Sequence, residues 1–349
     1  MNIHEKYIRR CIEIAKNGFG TTYPNPMVGS VIVYEGKIIG EGWHKKAGEP
    51  HAEVNAVRSV KDKSLLKKAT IYVSLEPCSH FGKTPPCCDL IIANKIPNVV
   101  VGTVDPNEKV AGNGIKKLVE AGTNVTVGVL EDECNELNKR FFTFHQKKRP
   151  YIVLKWAESQ DGFLAPEKEI NPERKPVWIT NQYSRQLVHK WRSEEQAILA
   201  GTQTIIDDNP KLNTRDWFGN NPVRVILDQN NRISKDSFVF DNSVKTIVFS
   251  KFENNISTEN TIFEKIDFNE NLIENILSVL YQHQIQSVII EGGRQTLQSF
   301  IDQNIWDEAR IFVGKNTFEK GTKAPELQKK NAVKTSIQND ELIYVRNHD

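Results

Sequence analysis

The sequence predicts an α/β fold built as two domains. Three observations carry this. The chain has 349 residues, more than one ordinary hydrophobic core accommodates. Short β-branched runs alternate with helical patterns in both halves, the mark of helices layered on a sheet. The alternation breaks once, at FFTFHQKKRP (residues 141–150), a basic stretch ending in Pro150 that reads as a linker. The expected domains are 1–145 and 146–349.

In order, HEKYIRRCIEIAKNG is an amphipathic helix with Ile8, Ile12 and Ala15 on one side. VGSVIVYEGKIIGEGW reads as a hairpin turning at Glu35-Gly36. HAEVNAVRSV follows as a helix and ATIYVSLEPC as a strand. PCCDLIIANKI is a helix opened by Pro86, and PNVVVGTVDP a strand. NGIKKLVEAG is a helix closing at Gly122, and NVTVGVL a strand. Beyond the linker come YIVLKWA, the helix SRQLVHKWRSEEQA, then AILAG, PVRVILD and KTIVFS. The helix LIENILSVLYQHQ, then SVIIEGG and ARIFVG, complete the second series. The Asn-rich stretch 251–271 is expected as surface loop, and no internal repeat is present.

A net charge of +2 excludes the strongly basic surface that nucleic-acid binding needs. The N-terminus lacks a signal-type apolar core, and no run approaches eighteen apolar residues. The expectation is a cytoplasmic protein without a membrane or nucleic-acid partner. Thiols stay reduced in that compartment, so clustered cysteines read as metal-binding or catalytic. All five (Cys11, Cys78, Cys87, Cys88 and Cys134) precede residue 135.

His51-Ala52-Glu53 opens a helix directly after Pro50. Cys78 lies at the end of a strand, and Cys87 starts a helix after Pro85-Pro86. A helix N-terminus and a nearby cation both stabilise a thiolate. One imidazole and two thiolates supply three ligands and leave a fourth tetrahedral position open, as in catalytic zinc sites. Water made acidic there needs a proton shuttle, and Glu53 fits that role. The ordered set is that of the zinc nucleobase deaminases. Cys88, followed by Leu90, Ile91 and Ile92, reads as a buried thiol, as do Cys11 and Cys134.

Between Cys78 and Cys87 stands the insert SHFGKTPP. With that insert the region resembles the deaminase half of the bifunctional riboflavin-biosynthesis deaminase–reductases, the RibD/RibG family. The resemblance extends to Asn25-Pro26-x-Val28-Gly29, Gly42-Trp43-His44, Asp105-Pro106-Asn107 and Val110-Ala111-Gly112-Asn113-Gly114. It implies a cytidine-deaminase-like α/β/α domain with one Zn2+ per chain. Its implied ligands are His51, Cys78 and Cys87, with Glu53 as proton shuttle. The implied substrate is 2,5-diamino-6-ribosylamino-4(3H)-pyrimidinone 5′-phosphate. Lys83, with Thr84 and His80, would hold the sugar phosphate by charge-assisted hydrogen bonds. Asn25 would read the pyrimidine edge, with His44, Asp105 and Asn107 as further pocket residues.

The second half has no GxGxxG; its local signal is a strand, two glycines and a helix in SVIIEGGRQTLQSFI. It resembles the reductase domain of the same family, which is dihydrofolate-reductase-like in fold. The matching pieces are Lys155-x-Ala157-x-Ser159-x-Asp161-Gly162, Trp178-Ile179-Thr180, and Arg192 in HKWRSEEQAIL. Gly201-x-x-Thr204, Asp207-Asp208-x-Pro210-x-Leu212-x-x-Arg215 and Glu291-Gly292-Gly293 continue the match. The resemblance implies NADPH contacts from Ala157, Trp178, Thr204, Asp208 and the turn Gly293, Arg294, Gln295, Thr296, Leu297, Gln298 and Ser299. It implies substrate contacts from Arg192, Leu212, Arg215 and Glu291. Pro176 departs from the family, which often has a hydroxyl residue there. The family also implies a homo-oligomer acting on phosphoribosylated pyrimidines. Two other readings stay open on the sequence: a deaminase with an inactive reductase-like domain, and a zinc-stabilised nucleotide-binding regulator.

Overall fold

The computed structural model describes residues 2–81, 85–107, 111–167, 177–253 and 257–347. The chain divides into two compact units, Met1–Lys148 and Arg149–Asp349.

The first unit runs α1 (Ile3–Ala15), β1 (Gly29–Tyr34), β2 (Lys37–Trp43), α2 (Ala52–Ser59), β3 (Thr70–Leu75), α3 (Cys87–Ala93) and β4 (Asn98–Thr103). It continues with α4 (Asn113–Glu120), β5 (Asn124–Val127), α5 (Glu131–Leu137) and α6 (Lys139–Lys147). The Asn2 side chain caps α1 by accepting the His4 N–H at 3.1 Å. Positive φ at both Glu35 (48°) and Gly36 (73°) makes the tight turn between β1 and β2. The sheet order is β2-β1-β3-β4-β5, with β1 antiparallel to both neighbours and β3, β4 and β5 parallel.

Strand alternation divides the core. Ile32, Ile71, Val73, Val99 and Val101 pack with Ala56, Cys88, Ile91 and Leu118 on one face. Val31, Val33, Tyr72 and Val100 pack with Ile8, Cys11, Ala15 and Cys134 on the other. This is the expected helix–sheet–helix layering, and it buries Cys11, Cys88 and Cys134 as packing residues.

The expected linker at 141–150 is largely helical. Phe141 and Phe144, one turn apart on α6, are buried, and the Arg140 guanidinium lies 4.5 Å from the Phe19 ring centroid. Nine residues are too few to display a period, and the basic tail QKKR masked it. The helix stops at Lys148, which takes the left-handed conformation with φ 54°.

The second unit opens with β6 (Tyr151–Glu158), β7 (Phe163–Pro166), α7 (Gln182–Glu194), β8 (Ala197–Gly201), α8 (Thr202–Asp208), β9 (Val223–Leu227) and β10 (Thr246–Ser250). It continues through β11 (Thr261–Lys265), α9 (Leu272–Gln282), β12 (Ser287–Ile290), α10 (Arg294–Asp302) and β13 (Glu308–Val313). It ends with β14 (Gly321–Lys323), β15 (Val333–Ile337) and β16 (Asp340–Arg346). The large sheet is ordered β11-β10-β9-β8-β12-β6-β13-β16-β15, parallel from β11 to β13 and antiparallel beyond; β7 and β14 form a separate ribbon. Ile152, Leu154, Leu199, Val225 and Ile290 face α9 and α10, while Val153, Ile198, Ile226 and Ile289 face the opposite layer.

The stretch 251–271 is not all loop: β11 pairs with β10 at the sheet edge. Its residues Glu264 and Lys265 give it the polar character that edge strands carry, which hid it in the sequence. Seven adjacent parallel strands bring their carboxyl ends to one side of the sheet, where open α/β sheets bind ligands. No helix among the described residues is long and apolar enough to cross a membrane.

Candidate active sites

His51 is the residue before α2, in extended conformation, so its ring leaves the helix axis while Glu53 sits in the first turn. Cys78 follows the end of β3, and Cys87 is the first residue of α3. The His51 Nδ1 lies 3.5 Å from the Cys78 Sγ and 3.4 Å from the Cys87 Sγ. All three donor atoms fall within 4.8 Å of one another. Tetrahedral zinc, with Zn–S about 2.3 Å and Zn–N about 2.0–2.1 Å, requires N and S about 3.5 Å apart. The donor set therefore fits zinc in both chemistry and spacing.

The electrostatics agree. The Cys78 thiol is drawn down to about 4, first by its hydrogen bond with Cys87 and then by that with His51. The same Cys78 contact, with burial, drives Cys87 up. Two adjacent thiolates repel, and a divalent cation at their common focus removes that penalty. The Cys87 N–H donates to the Cys78 Sγ at 3.3 Å. The hydrogen bond with Cys78 raises His51. Glu53 is buried and contacts the Cys87 thiol; desolvation first, and the Cys78 charge second, push its carboxyl up to about 7. A carboxyl poised there can both take and give a proton.

His44 is buried, and its ring meets the His51 ring edge-on at 5.3 Å. Its Nδ1 is 3.2 Å from the Pro50 carbonyl, so Nδ1 carries the proton and donates. Its Nε2 then accepts from the Asn25 Nδ2 at 3.1 Å. Sequence-predicted Asn25 and His44 are thus brought together beside the candidate metal ligand His51. Asp105 lies close enough to Cys78 and His80 to feel their charges; burial first raises its carboxyl to about 6. The Asp105 Oδ1 accepts the Asn107 N–H at 2.8 Å. Lys83, Thr84 and Val110 lie outside the described residues.

In the second unit, Arg192 of α7 grips Glu291 with two nitrogens, Nε to Oε1 at 3.0 Å and Nη2 to Oε2 at 2.7 Å. Lys155 of β6 stands 3.7 Å from the Glu291 Oε2. Burial alone would raise Glu291, but Arg192 and Lys155 outweigh it and hold the carboxyl at about 2. Arg215 sits in the loop after α8; burial first, then the Arg192 charge, lower its pKa. Two guanidiniums that repel each other attract an anion between them. The Arg215 N–H donates to the His189 Nδ1 at 3.2 Å, tying that loop to α7. His189 is held down to about 4 by burial and by Arg192 and Arg215, which keeps the accepting nitrogen free of a proton.

The glycine turns also converge. A Cβ on Gly292 would lie 3.2 Å from the Thr204 Oγ1, and one on Gly201 only 2.8 Å from the Thr296 Oγ1. The amino ends of α8 and α10 therefore abut, with Gly293 in a positive-φ conformation (64°). Thr204, Gly293 and Thr296 come together. Ala157 is on β6, and Asp208, the last residue of α8, is raised by burial. Trp178 is exposed under the Arg185 guanidinium, 4.2 Å from its ring centroid. Its carbonyl accepts from the Asn316 Nδ2 at 3.1 Å.

Two side chains point elsewhere. Leu297 packs into the core with Phe300, and Leu212 is buried against Ile205 and Ile226. Helical period directs the first inward, and a left-handed φ of 45° directs the second. Arg294 and Gln298 bind Glu326, and Ser299 donates to the Gln295 carbonyl. Pro176 is outside the described residues. The sequence reading assigned no role to His189 or Lys155. His189 stands one turn before Arg192, and that spacing was the available signal.

Residues 1–103 match the cytidine and deoxycytidylate deaminase zinc-binding region, and residues 150–323 match the RibD C-terminal domain. The riboflavin biosynthesis protein RibD of Aquifex aeolicus is 42% identical over 330 residues, covering 93% of this chain and 90% of that protein. The chain belongs to the RibD family. The Escherichia coli RibD is 35% identical over 341 residues, covering 88% and 87%. A crystal structure from Thermotoga maritima, a diaminohydroxyphosphoribosylaminopyrimidine deaminase/5-amino-6-(5-phosphoribosylamino)uracil reductase, superposes with TM-score 0.89 at 38% identity, covering 99% of each chain. Acinetobacter baumannii RibD gives TM-score 0.88 at 32% identity over the same share. As a RibD, the chain is an enzyme of riboflavin biosynthesis with a deaminase and a reductase domain, a zinc-binding region in the first and nicotinamide chemistry in the second.

Proposed function

We propose that the first unit hydrolyses the ring amine of 2,5-diamino-6-ribosylamino-4(3H)-pyrimidinone 5′-phosphate to a carbonyl, releasing ammonia. The second unit then reduces the ribosyl side chain of 5-amino-6-(5-phosphoribosylamino)uracil to ribityl at the expense of NADPH. The observation that carries this reading is the His51, Cys78 and Cys87 triangle at zinc spacing beside buried Glu53. His51, Cys78 and Cys87 would hold one zinc ion per chain, which would supply the Lewis acidity that makes a water nucleophilic near neutral pH. Glu53 takes one proton from the attacking water and passes it to the ring nitrogen, then takes the second from the resulting hydroxyl and delivers it to the departing amine, which leaves as ammonia. Asn25, fixed by His44, reads the pyrimidine edge, and Asp105 and Asn107 complete the rim. Lys83 and His80 are assigned to the sugar phosphate.

In the second unit the protein's work is alignment and exclusion of water. NADPH supplies the hydride. Ala157 and Trp178 are assigned to the cofactor, with Thr204, Asp208 and the Gly293–Ser299 turn, where backbone N–H groups serve the phosphates. Leu297 contributes through its backbone only. Arg192 and Arg215 take the substrate phosphate, and Glu291 the sugar hydroxyls. Leu212 shapes the loop from beneath.

Glu53→Gln tests the division of labour. It should lower ammonia release by roughly 10²–10⁴-fold and leave NADPH oxidation on the deaminated product unchanged. Ammonia release within a few-fold of the parent chain would remove Glu53 from the mechanism.

A further inference from the structure

Glu76 follows β3 and stands two residues before the zinc ligand Cys78. No role has been assigned to it above. Its side chain is buried, 4% exposed, yet it meets no cation within ion-pair reach among the described residues. Four backbone N–H groups surround it instead. Its Oε1 accepts from Gly114 at 2.8 Å and Ile115 at 3.3 Å. Its Oε2 accepts from Gly112 at 3.0 Å and Asp105 at 3.3 Å. One donor is Asp105 and the other three lie in residues 112–115, so one carboxylate ties these two stretches together.

The clamp is locked onto the metal turn. A Cβ on Gly114 would lie 2.1 Å from the Pro77 carbonyl oxygen, so the backbones are in direct contact and only glycine fits. The Cys88 thiol donates to the Pro77 carbonyl at 3.2 Å and lies 3.5 Å from that of Gly114. The Cys88 N–H donates to the Cys78 carbonyl at 3.2 Å. Residues 76–78, 87–88 and 112–115 thus form one hydrogen-bonded block. Asp105 and Asn107 leave that block from its Glu76-bound edge, with Asp105 beside Cys78 and His80.

We propose that Glu76 is a positioning residue of the deaminase, whose carboxylate fixes Asp105 and Asn107 against the zinc turn as a preformed binding rim for the pyrimidine. This rests on the deaminase reading above. A carboxylate suits the task because both oxygens accept; an amide offers one acceptor and turns an N–H toward two donors. Interactions of this kind made equally with bound substrate and transition state appear in KM and not in kcat.

The test uses the full-length zinc enzyme and steady-state ammonia release from the diaminopyrimidine phosphate. Glu76→Gln is expected to raise KM at least about tenfold, with kcat within about threefold. Zinc content and NADPH oxidation by the second unit should not change. Hydrogen exchange at the amides of Asp105, Gly112, Gly114 and Ile115 should accelerate. Glu76→Asp, which keeps both acceptors on a shorter stem, should fall between Gln and the parent chain, and decides the matter if Gln does not fold. An unchanged KM alongside exposed amides would overturn the proposal, as would loss of zinc or a fall confined to kcat. A parent chain that releases no ammonia in the same assay would overturn the deaminase reading itself, an outcome distinct from any behaviour of the variants.

Discussion

Replacing Arg192 by Met should destabilise the second unit by about 3–5 kcal/mol, because it leaves a buried carboxylate without its principal partner. Arg192 binds both oxygens of Glu291, whereas Lys155 reaches only one, at 3.7 Å. Glu291 is held at about 2 against an ordinary 4.5 by Arg192 and Lys155 together, against burial, a net fall worth roughly 3 kcal/mol for the whole site. The carboxyl is depressed, so its contribution is fully present above pH 4.5 and is lost as the pH falls toward 2. Without Arg192, burial lifts Glu291, and its protonation in acid relieves the variant. In a unit spanning residues 149–349 the loss translates to a drop in Tm of roughly 6–20 °C at neutral pH. Thermal unfolding at pH 7 and at pH 3 is the assay. The gap between parent and Met variant should be wide at pH 7 and narrow at pH 3. Arg192→Lys, which keeps the charge without the fork, should lie between them. A gap below about 2 °C at pH 7, or an equal gap at both pH values, would refute the buried-pair reasoning.

The adjacent cysteines should behave differently. Cys87→Ala should lose zinc and ammonia release, while Cys88→Ala should retain both, measured by metal content and turnover; loss of zinc from Cys88→Ala would move the ligand assignment by one residue. Gly314→Ala should raise the KM for NADPH and spare ammonia release. A Cβ there would come 2.1 Å from the Ile179 carbonyl oxygen and press on the segment carrying Trp178. An unchanged KM would detach that segment from the cofactor.

The His51, Cys78 and Cys87 cluster was legible in the sequence because metal chemistry restricts residue type, and helix starts and strand ends fix where those types fall. His51, Cys78 and Cys87 each sit at such a boundary. The layered α/β architecture was legible from alternation alone, since buried parallel strands such as VVV at 99–101 read as apolar runs. The misses share a cause: their signal is tertiary. The helix α6 is short, and β11 is a polar edge strand recognisable only by its pairing with β10. Leu212 and Leu297 were carried over by position within a motif, and a motif does not fix the direction of a side chain. Glu76 stands beside the strongest motif in the chain, but its four backbone partners lie 29–39 residues away in sequence. No local pattern announces them.

The central claim is that one chain performs a hydrolytic deamination and then a reduction. The direct measurement supplies the zinc-loaded protein with 2,5-diamino-6-ribosylamino-4(3H)-pyrimidinone 5′-phosphate and follows ammonia and NADPH in the same vessel. The account predicts ammonia release without NADPH present and, when NADPH is added, oxidation of one equivalent per ammonia released. NADPH oxidation without ammonia, or ammonia with no subsequent oxidation, would contradict it.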